Sequence, residues 1–448
     1  MKKQLTTLLL LLTLAVPSFA AEFKKTLNTI ELLDNDTVVF LGDSITHQCL
    51  YTQYVEDYFY TRYPNRRVNF HNAGVGGDQA IDTLIRFDDD VAKFKPKYVT
   101  VLIGMNDGHY TGFEHEIFNT YKKNMTKLLD KITAINATAI LMTPTMYDLR
   151  PALMEQNWVE PLRANNIHYN AVLAFFGAWV RQQANERGLG FANMYEPLNR
   201  ITREQRKTDP EFTMIEDAVH PGPDGQLVMA LALLKDINAN PIVSTIDIVR
   251  KDNRWLTKAD NGRLANVSTE KIGFTFTANS LPWLVPDEAA LGYKITNAGH
   301  KMSRETIRVT SLTSGDYKLQ IDGTTVGTYS HLQLSAGIEL QENKNTPQYA
   351  QAMKVAMLNK RRNDEALRPM RDLWVELKVG HHLLAGSEEL DDESEELLEE
   401  FDPKEFKEWE AKFPKKVAAL LKKAKQLEDK IYQLNKPKPH EYKIVSAR

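Results

Sequence analysis

The chain has 448 residues and a single cysteine, Cys49. No disulfide can form within it, so an exported protein of this size would depend on its core for stability. We expect Cys49 to be a small buried apolar group, as free cysteines commonly are. The formal net charge is only −3, which excludes the strong charge imbalance of proteins that bind nucleic acid or membrane surfaces.

Several motifs are also missing from the sequence. It has no H-E-x-x-H and no pair of cysteines, and therefore no zinc-binding pattern. It has no G-x-x-x-x-G-K-S/T loop for nucleotide phosphates. After the first twenty residues, no apolar run is long enough to cross a bilayer. We therefore expect a protein that needs no metal or cofactor, binds no nucleic acid and has no transmembrane anchor.

The N-terminus, "MKKQLTTLLLLLTLAVPSFA", has the pattern of a secretory signal peptide. Two lysines precede a short apolar run, and the small residues Ser18 and Ala20 stand at the −3 and −1 positions of a cleavage site. Residues 1–20 are thus predicted to be removed on export. The mature protein is expected in the periplasm or outside the cell, and partner proteins are not indicated.

The residue pattern changes three times along the rest of the chain. Across residues 21–240, short β-branched runs alternate with stretches of helical period, which predicts one α/β domain with a parallel sheet covered on both faces. Residues 241–342 alternate with period two and contain Asn-Gly and Asp-Gly turns, which indicate a β-rich accessory region. A helical segment follows over 343–380, and 381–448 is predicted to be a charged helical tail. Helices of the first domain are expected near 50–63, 79–93, 114–135, 158–187 and 224–237.

The charged tail contains an acidic run, "SEELDDESEELLEE", and a lysine-rich amphipathic helix. The apolar stripe of that helix comprises Val417, Leu420, Leu421, Leu427 and Ile431. Such a helix either binds a membrane surface or a partner, or packs its stripe on the body of the protein. Packing on the body is the favoured interpretation.

Four short motif blocks contain the candidate catalytic residues. "FLGDSITHQ" follows the apolar run of the first strand and places Ser44 at its end. "NAGVGGD" and "IGMNDG" follow the second and third strands, and "DAVHPGPDG" precedes the last helix of the domain. The carboxyl ends of parallel strands meet at one edge of a sheet, where α/β proteins build active sites. The usual nucleophile elbow, G-x-S-x-G, is absent.

In this order, the blocks resemble those of the SGNH hydrolase superfamily, the GDSL-type esterases, over residues 36–240. The resemblance implies a flavodoxin-like parallel sheet flanked by helices and a serine hydrolase that acts on ester bonds. Ser44 would be the nucleophile, His220 the general base and Asp217 the group that orients it. The backbone N–H groups of Ser44 and Gly77 and the side-chain amide of Asn106 would form the oxyanion hole.

Taken singly, these residues also have structural interpretations. Asn106 fits a turn, Asp217 could cap a helix, and glycines permit a tight turn after a strand. Four further residues are candidates for the substrate pocket, since they adjoin the motif blocks: Asp43, His47, Asp107 and His109.

The substrate is predicted less directly. The SGNH superfamily includes enzymes that deacylate sugars, polysaccharides and lipids. An exported enzyme with a β-rich accessory region favours O-deacetylation of a carbohydrate, with Trp255, Trp283 and Tyr293 either as a sugar platform or as core. The alternatives are a lysophospholipase or short-chain lipid esterase, and a non-catalytic glycan-binding protein. A shallow polar cleft beside Ser44 would favour sugar, whereas a wide apolar groove would favour lipid.

Overall fold

Apolar runs that are buried on both faces form a five-stranded parallel sheet in the first half of the chain. This computed structural model describes residues 26–154, 167–386 and 402–447. The predicted signal peptide and the acidic run lie outside these ranges. The strands are β1 (Thr37–Gly42), β2 (Asn69–Gly74), β3 (Tyr98–Leu102), β4 (Thr138–Met142) and β5 (Gly190–Ala192).

The strand order is β2-β1-β3-β4-β5, with every neighbouring pair parallel. This order confirms the predicted flavodoxin-like sheet, in which sites form where the strand order reverses. The register sets Gly42, at the end of β1, level with Gly74 of β2 and Leu102 of β3. The three following loops therefore leave the sheet at the same edge.

Helices cover both faces of the sheet. They are α1 (Ser44–His47), α2 (Leu50–Arg62), α3 (Ala80–Asp90), α4 (His115–Ala134), α5 (Leu149–Met154), α6 (Tyr169–Arg187), α7 (Tyr195–Gln205) and α8 (Pro223–Asp236). The helix predicted over 158–187 begins only at Tyr169, and residues 155–166 lie outside the described residues.

Two further sheets form the β-rich region. Their strands are β6 (Ile242–Lys251), β7 (Arg254–Asp260), β8 (Gly262–Ala265), β9 (Gly273–Ala278), β10 (Arg304–Val309), β11 (Asp316–Ile321), β12 (Thr324–Ser330), β13 (Ile338–Glu339) and β14 (His440–Ser446). The orders are β13-β10-β6-β7 and β12-β11-β14-β9-β8. Their apolar faces share a core of residues such as Ile246, Phe274 and Leu319.

Strand β14 corrects the prediction of a helical tail. Residues 440–446 lie in the middle of the five-stranded sheet, between β11 and β9, rather than in a helix. The segment "EYKIVS" alternates exposed and buried residues, with Tyr442 and Ile444 facing the core. Residues 440–446 therefore complete a sheet whose first strand, β8, begins at Gly262.

Helices fill the remainder of the second half. They are α9 (Ala290–Thr296), α10 (Ala298–Met302), α11 (His331–Ala336), α12 (Pro347–Arg362), α13 (Arg368–Leu384) and α14 (Pro403–Leu434), with a π-helical turn over Asn363–Leu367 between α12 and α13. No helix among the described residues is long and apolar enough to span a membrane.

The long helix α14 packs its apolar stripe on the body of the protein, as the sequence favoured. Val417, Leu427 and Ile431 are buried, and Ile431 joins the core of the α/β domain. Trp283 and Tyr293 are buried in that same core, so they form no sugar platform. Trp255 is partly buried against the β-rich core. Residues from the second half of the chain thus contribute to the core of the α/β domain, while the β-rich region keeps a core of its own.

Buried polar contacts fix α12 and α13 to the α/β domain. Arg362 pairs with Glu56 of α2 at 3.0 Å, and both side chains are buried. Arg371, fully buried, donates to both carboxylate oxygens of Asp90 at 2.7 and 3.1 Å. Cys49 lies between these contacts in a small apolar cluster, where burial raises the pKa of its thiol to about 12.

Candidate active site

Ser44 lies in the first turn after strand β1, which is next to the central strand β3. Gly42 ends the strand where a Cβ would meet Oγ1 of Thr46 at 2.0 Å, so only glycine fits. Asp43 then caps α1, with its carboxylate accepting the N–H of Ile45 at 3.0 Å. A serine in the following position lies at the sheet edge with its hydroxyl turned away from the core, and it is partly exposed.

The structure brings Ser44 together with the two residues of the last motif block. Nε2 of His220 lies 2.7 Å from Oγ of Ser44, and Nδ1 of His220 lies 2.6 Å from Oδ2 of Asp217. An ionised carboxylate can only accept, so the proton of the neutral imidazole is on Nδ1 and Nε2 is ready to take the serine proton. This is the geometry of a Ser-His-Asp triad.

Asp217 is held ionised by its surroundings. Burial raises the pKa of its carboxyl, but hydrogen bonds from His220 and from backbone N–H groups outweigh that effect, and the pKa falls below its ordinary value. Its second oxygen accepts the N–H groups of Val219 at 2.9 Å and His220 at 2.7 Å. The three-residue spacing therefore lets one carboxylate fix both the loop and the ring.

The loop that carries the triad acid and base is held in a strained backbone conformation. Ala218, between Asp217 and His220, has φ of +71°, which costs a non-glycine residue about 1–2 kcal/mol. The backbone N–H of Asp148 donates to the carbonyl of Ala218 at 2.9 Å. The Asp148 carboxylate accepts from Arg206 at 2.6 Å and Thr213 at 2.7 Å. Asp148 thus anchors the loop, a role that no motif in the sequence indicated.

The second and third motif blocks form the loops after β2 and β3. Gly77 has φ of +67°, a left-handed conformation that favours glycine. The side-chain amide of Asn106 donates one N–H to the carbonyl of Asp78 at 3.0 Å, and its oxygen accepts from Tyr110 at 2.8 Å. These two bonds orient the amide and tie the two loops together. An asparagine amide has a second N–H, which is the group an oxyanion would use.

Comparison with known proteins agrees with this geometry. Residues 40–228 match the family model described as GDSL-like Lipase/Acylhydrolase family. This match covers less than half of the chain and includes all four motif blocks. The fold, the match and the similarity to known esterases together identify an ester-bond hydrolase. Residues 40–228 are called the GDSL-like domain below.

Individual proteins are also similar to this chain, and two of them are informative. The acetylxylan esterase of Geobacillus stearothermophilus is 25% identical over 224 residues, which cover 45% of this chain and 94% of that enzyme. The structure of BT4096, a gut microbial diltiazem-metabolizing enzyme, is 25% identical with a TM-score of 0.77. It covers 94% of this chain and 99% of its own, so the likeness extends beyond the GDSL-like domain into the β-rich and helical regions.

A cavity of about 620 Å³ opens beside the triad of the GDSL-like domain. Its volume lies within the range of small-molecule sites. Among the described residues, one side is lined by the GDSL-like domain and the other by later segments of the chain. The lining comprises Ser44, His47, Gln48, Leu50, Asp217, His220, Pro223, Glu288, Lys360, Arg368 and Asp372.

Of the four residues predicted to line the pocket, only His47 lines this cavity. Its Nε2 lies 2.9 Å from Oδ1 of Asp372 on α13. Asp43 and Asp107 are instead buried helix caps: Asp107 accepts the N–H of Ala80 at 2.9 Å, at the start of α3. Burial raises the pKa of Asp43 to about 7 and of Asp107 to about 8. His109 is exposed and does not line the cavity. These residues were expected in the pocket because they adjoin the motif blocks. The carboxylates of Asp43 and Asp107 instead accept backbone N–H groups at the starts of helices.

Proposed function

We propose that this protein is an exported esterase that removes O-acetyl groups from a carbohydrate. The observation that carries the proposal is the polar lining of the cavity beside Ser44. Seven of its lining side chains are acidic, basic or histidine, whereas Leu50 and Pro223 are the apolar ones among the described residues. Such a surface offers donors and acceptors to hydroxyl groups and no apolar groove for an acyl chain. The similarity to an acetylxylan esterase supports the same substrate class.

The mechanism follows from the triad geometry. Oγ of Ser44 forms a bond to the acetyl carbon while its proton moves to Nε2 of His220. The resulting oxyanion is stabilised by the N–H groups of Ser44 and Gly77 and by the Asn106 amide. As the C–O bond to the sugar breaks, His220 gives its proton to the departing oxygen. Water then attacks the acetyl-serine, again with His220 as base, and releases acetate.

Released acid measures the substrate class directly. We expect the purified protein to release acetate from acetylated xylooligosaccharides and little fatty acid from lysophospholipids, with Ser44→Ala inactive on both. Faster release of fatty acid would overturn the carbohydrate assignment. Because a structural relative metabolizes diltiazem, diltiazem, itself an acetate ester, is the third substrate. A higher kcat/KM for diltiazem than for the glycan would assign the enzyme to small-molecule esters instead.

Export is proposed from the signal-peptide pattern of residues 1–20. Expression of the full chain in a Gram-negative host, followed by fractionation, tests it. We expect the protein in the periplasm or medium with a mature N-terminus at Ala21. Retention of an intact Met1 in the cytoplasm would overturn the assignment.

A further inference from the structure

One wall of the active-site cavity comes from outside the GDSL-like domain. Lys360 lies at the end of α12, and Arg368 and Asp372 lie in the first turns of α13. These three residues are called the helical wall below. None of them belongs to a motif block, and their region was predicted only as a helical segment.

The π-helical turn places the three residues of the wall on one face. In a regular α-helix, twelve residues advance by about 120° beyond full turns, which would direct Lys360 and Asp372 to different sides. The backbone N–H of Arg368 donates to the carbonyl of Asn363, an i→i+5 bond that inserts one extra residue. That insertion removes about 100° of rotation, so the two side chains nearly align.

Buried contacts fix the position of the wall against the triad. Arg362 and Arg371, on either side of Arg368, hold their ion pairs with Glu56 and Asp90 out of solvent. Arg368 itself donates to the carbonyl of Gln48 at 3.0 Å, four residues after Ser44. The wall is thus attached to the segment that carries the nucleophile, and its geometry is set before a substrate arrives.

The cavity lies on the side where the alcohol leaves. It is lined by Ser44 and His220, and His220 is the group that protonates the departing oxygen. Gly77 and Asn106, which would bind the oxyanion, do not line it. An acetyl group needs only a small fraction of about 620 Å³, so the space fits the alcohol part of the ester.

Each charged side chain of the wall is paired with a side chain outside it. Asp372 pairs with His47, while Lys360 contacts Glu288 at 3.3 Å and Asp364 at 2.9 Å. Arg368 lies 3.3 Å from Asp364. These contacts leave Arg368 with N–H groups beyond those directed at Gln48 and Asp364, since a guanidinium has five. The wall therefore presents donors and acceptors with little net charge, which suits a neutral polyhydroxylated group better than an anionic one.

We propose that the helical wall binds the alcohol moiety of the substrate and sets its specificity, with Arg368 donating to and Asp372 accepting from sugar hydroxyls. The inference rests on the proposed function for the identity of that alcohol. The wall does not take part in the bond-making steps. The wall should therefore affect the preference between esters of different alcohols. That preference is measured as the ratio of their kcat/KM values.

The experiment compares kcat/KM for an acetylated xylooligosaccharide with kcat/KM for p-nitrophenyl acetate, in the full-length protein. For Arg368→Met and for Asp372→Leu we expect the glycan-to-aryl ratio to fall about tenfold or more, the loss typical of one hydrogen bond to a charged group. Arg361→Met is the matched control, because Arg361 is exposed, pairs with Glu365 and does not line the cavity. A defect in folding would lower both activities together and leave the ratio unchanged.

The outcomes separate this inference from the proposed function. Should the wild type cleave the glycan while both wall variants keep its ratio within twofold, the wall does not set specificity. An equal fall in the ratio for Arg361→Met would overturn it as well. If the wild type releases no acetate from the glycan, the carbohydrate assignment fails. The wall is then tested with diltiazem in place of the glycan, as the ratio of kcat/KM for diltiazem to kcat/KM for p-nitrophenyl acetate. Cleavage of the aryl ester alone would overturn both.

Discussion

Nε2 of His220 lies 2.7 Å from Oγ of Ser44, although the two residues are 176 positions apart in the chain. The contact forms because the loop between α7 and α8, which carries His220, returns to the sheet edge at which β1 ends. The distance is that of a hydrogen bond through which a proton can pass. Mutation of either residue therefore tests the mechanism directly.

Ser44→Ala should lower kcat/KM for p-nitrophenyl acetate by at least about 10³-fold, because the triad acts as a unit. The exposed Ser314→Ala is the control and should keep full activity. A serine-directed phosphonate should label Ser44 in the wild type, as read by peptide mass spectrometry. Retention of more than about 1% of activity in Ser44→Ala would show that another residue is the nucleophile.

His220→Ala should be nearly as inactive as Ser44→Ala. His220 is the group that accepts the proton of the Ser44 hydroxyl, and the described residues show no other base in contact with that hydroxyl. His47→Ala should change KM more than kcat, because His47 lines the cavity and pairs with Asp372 instead. Steady-state kinetics on one ester distinguish the two. A larger fall in kcat for His47→Ala than for His220→Ala would assign the base to His47.

The sequence predicts some parts of this site well and others poorly. Ser44 was singled out because it stands in a short block at the end of a strand, where α/β proteins build active sites. Asp217 and His220 were singled out because their block, which precedes α8, resembles the last block of the SGNH hydrolases. Asp148 and the helical wall were missed because their roles depend on tertiary contacts. The role of Asp148 is visible only from its carboxylate, which accepts from Arg206 and Thr213. Both residues are far from Asp148 in sequence, so no local pattern could indicate the contact.

The fold shows the same division. Local patterns predicted the α/β alternation and the β-rich region, since periodicity is a local property. The pairing of β14 with β9 joins Tyr442 to Phe274, a contact between residues that are far apart in sequence. The lysine-rich sequence before β14 predicted helix throughout the tail. A six-residue alternation at the very end is too short to distinguish a strand by pattern alone.

Stability should fall as the pH rises from 6.5 to 8. Burial raises the pKa of Asp107 to about 8, above about 3.9 in the unfolded chain. The folded state therefore binds the proton more tightly, and this stabilisation is complete below about pH 4 and is lost as the pH approaches 8. The window starts at pH 6.5 because the depressed pKa of His71, about 4, has the opposite effect at lower pH.

Asp107→Asn should weaken this pH dependence, because an amide has no proton to lose and its oxygen can still accept from Ala80. The part that comes from Asp43, whose pKa burial raises to about 7, remains. Asp88→Asn is the control, since the Asp88 side chain is 79% exposed. Urea unfolding at pH 6.5 and 8 gives the change in free energy for each variant. A change in Asp107→Asn as large as that in the wild type would mean that Asp107 is already ionised at pH 6.5.

The buried pair of Glu56 and Arg362 should couple the GDSL-like domain to the helical region. Arg362→Met leaves the Glu56 carboxylate buried with only Asn363 as a donor, at 3.2 Å. Removing one partner of a buried pair typically costs about 3–5 kcal/mol. Arg361→Met, on the adjacent exposed residue, should have little effect on the free energy of unfolding because its pair with Glu365 is solvated.

A double variant separates the charge from the packing. In Glu56→Gln with Arg362→Met, neither charge of the pair remains, so we expect the free energy of unfolding to recover by more than half of the Arg362→Met loss. Urea unfolding gives the free energy of unfolding of the wild type, Arg362→Met, Arg361→Met and the double variant. Following it by both tryptophan fluorescence and circular dichroism shows whether the two halves of the chain unfold together. If the double variant is as unstable as Arg362→Met, the loss arises from the packing of the Arg362 side chain against α2. In that case the ion pair would align the helical wall without stabilising the fold.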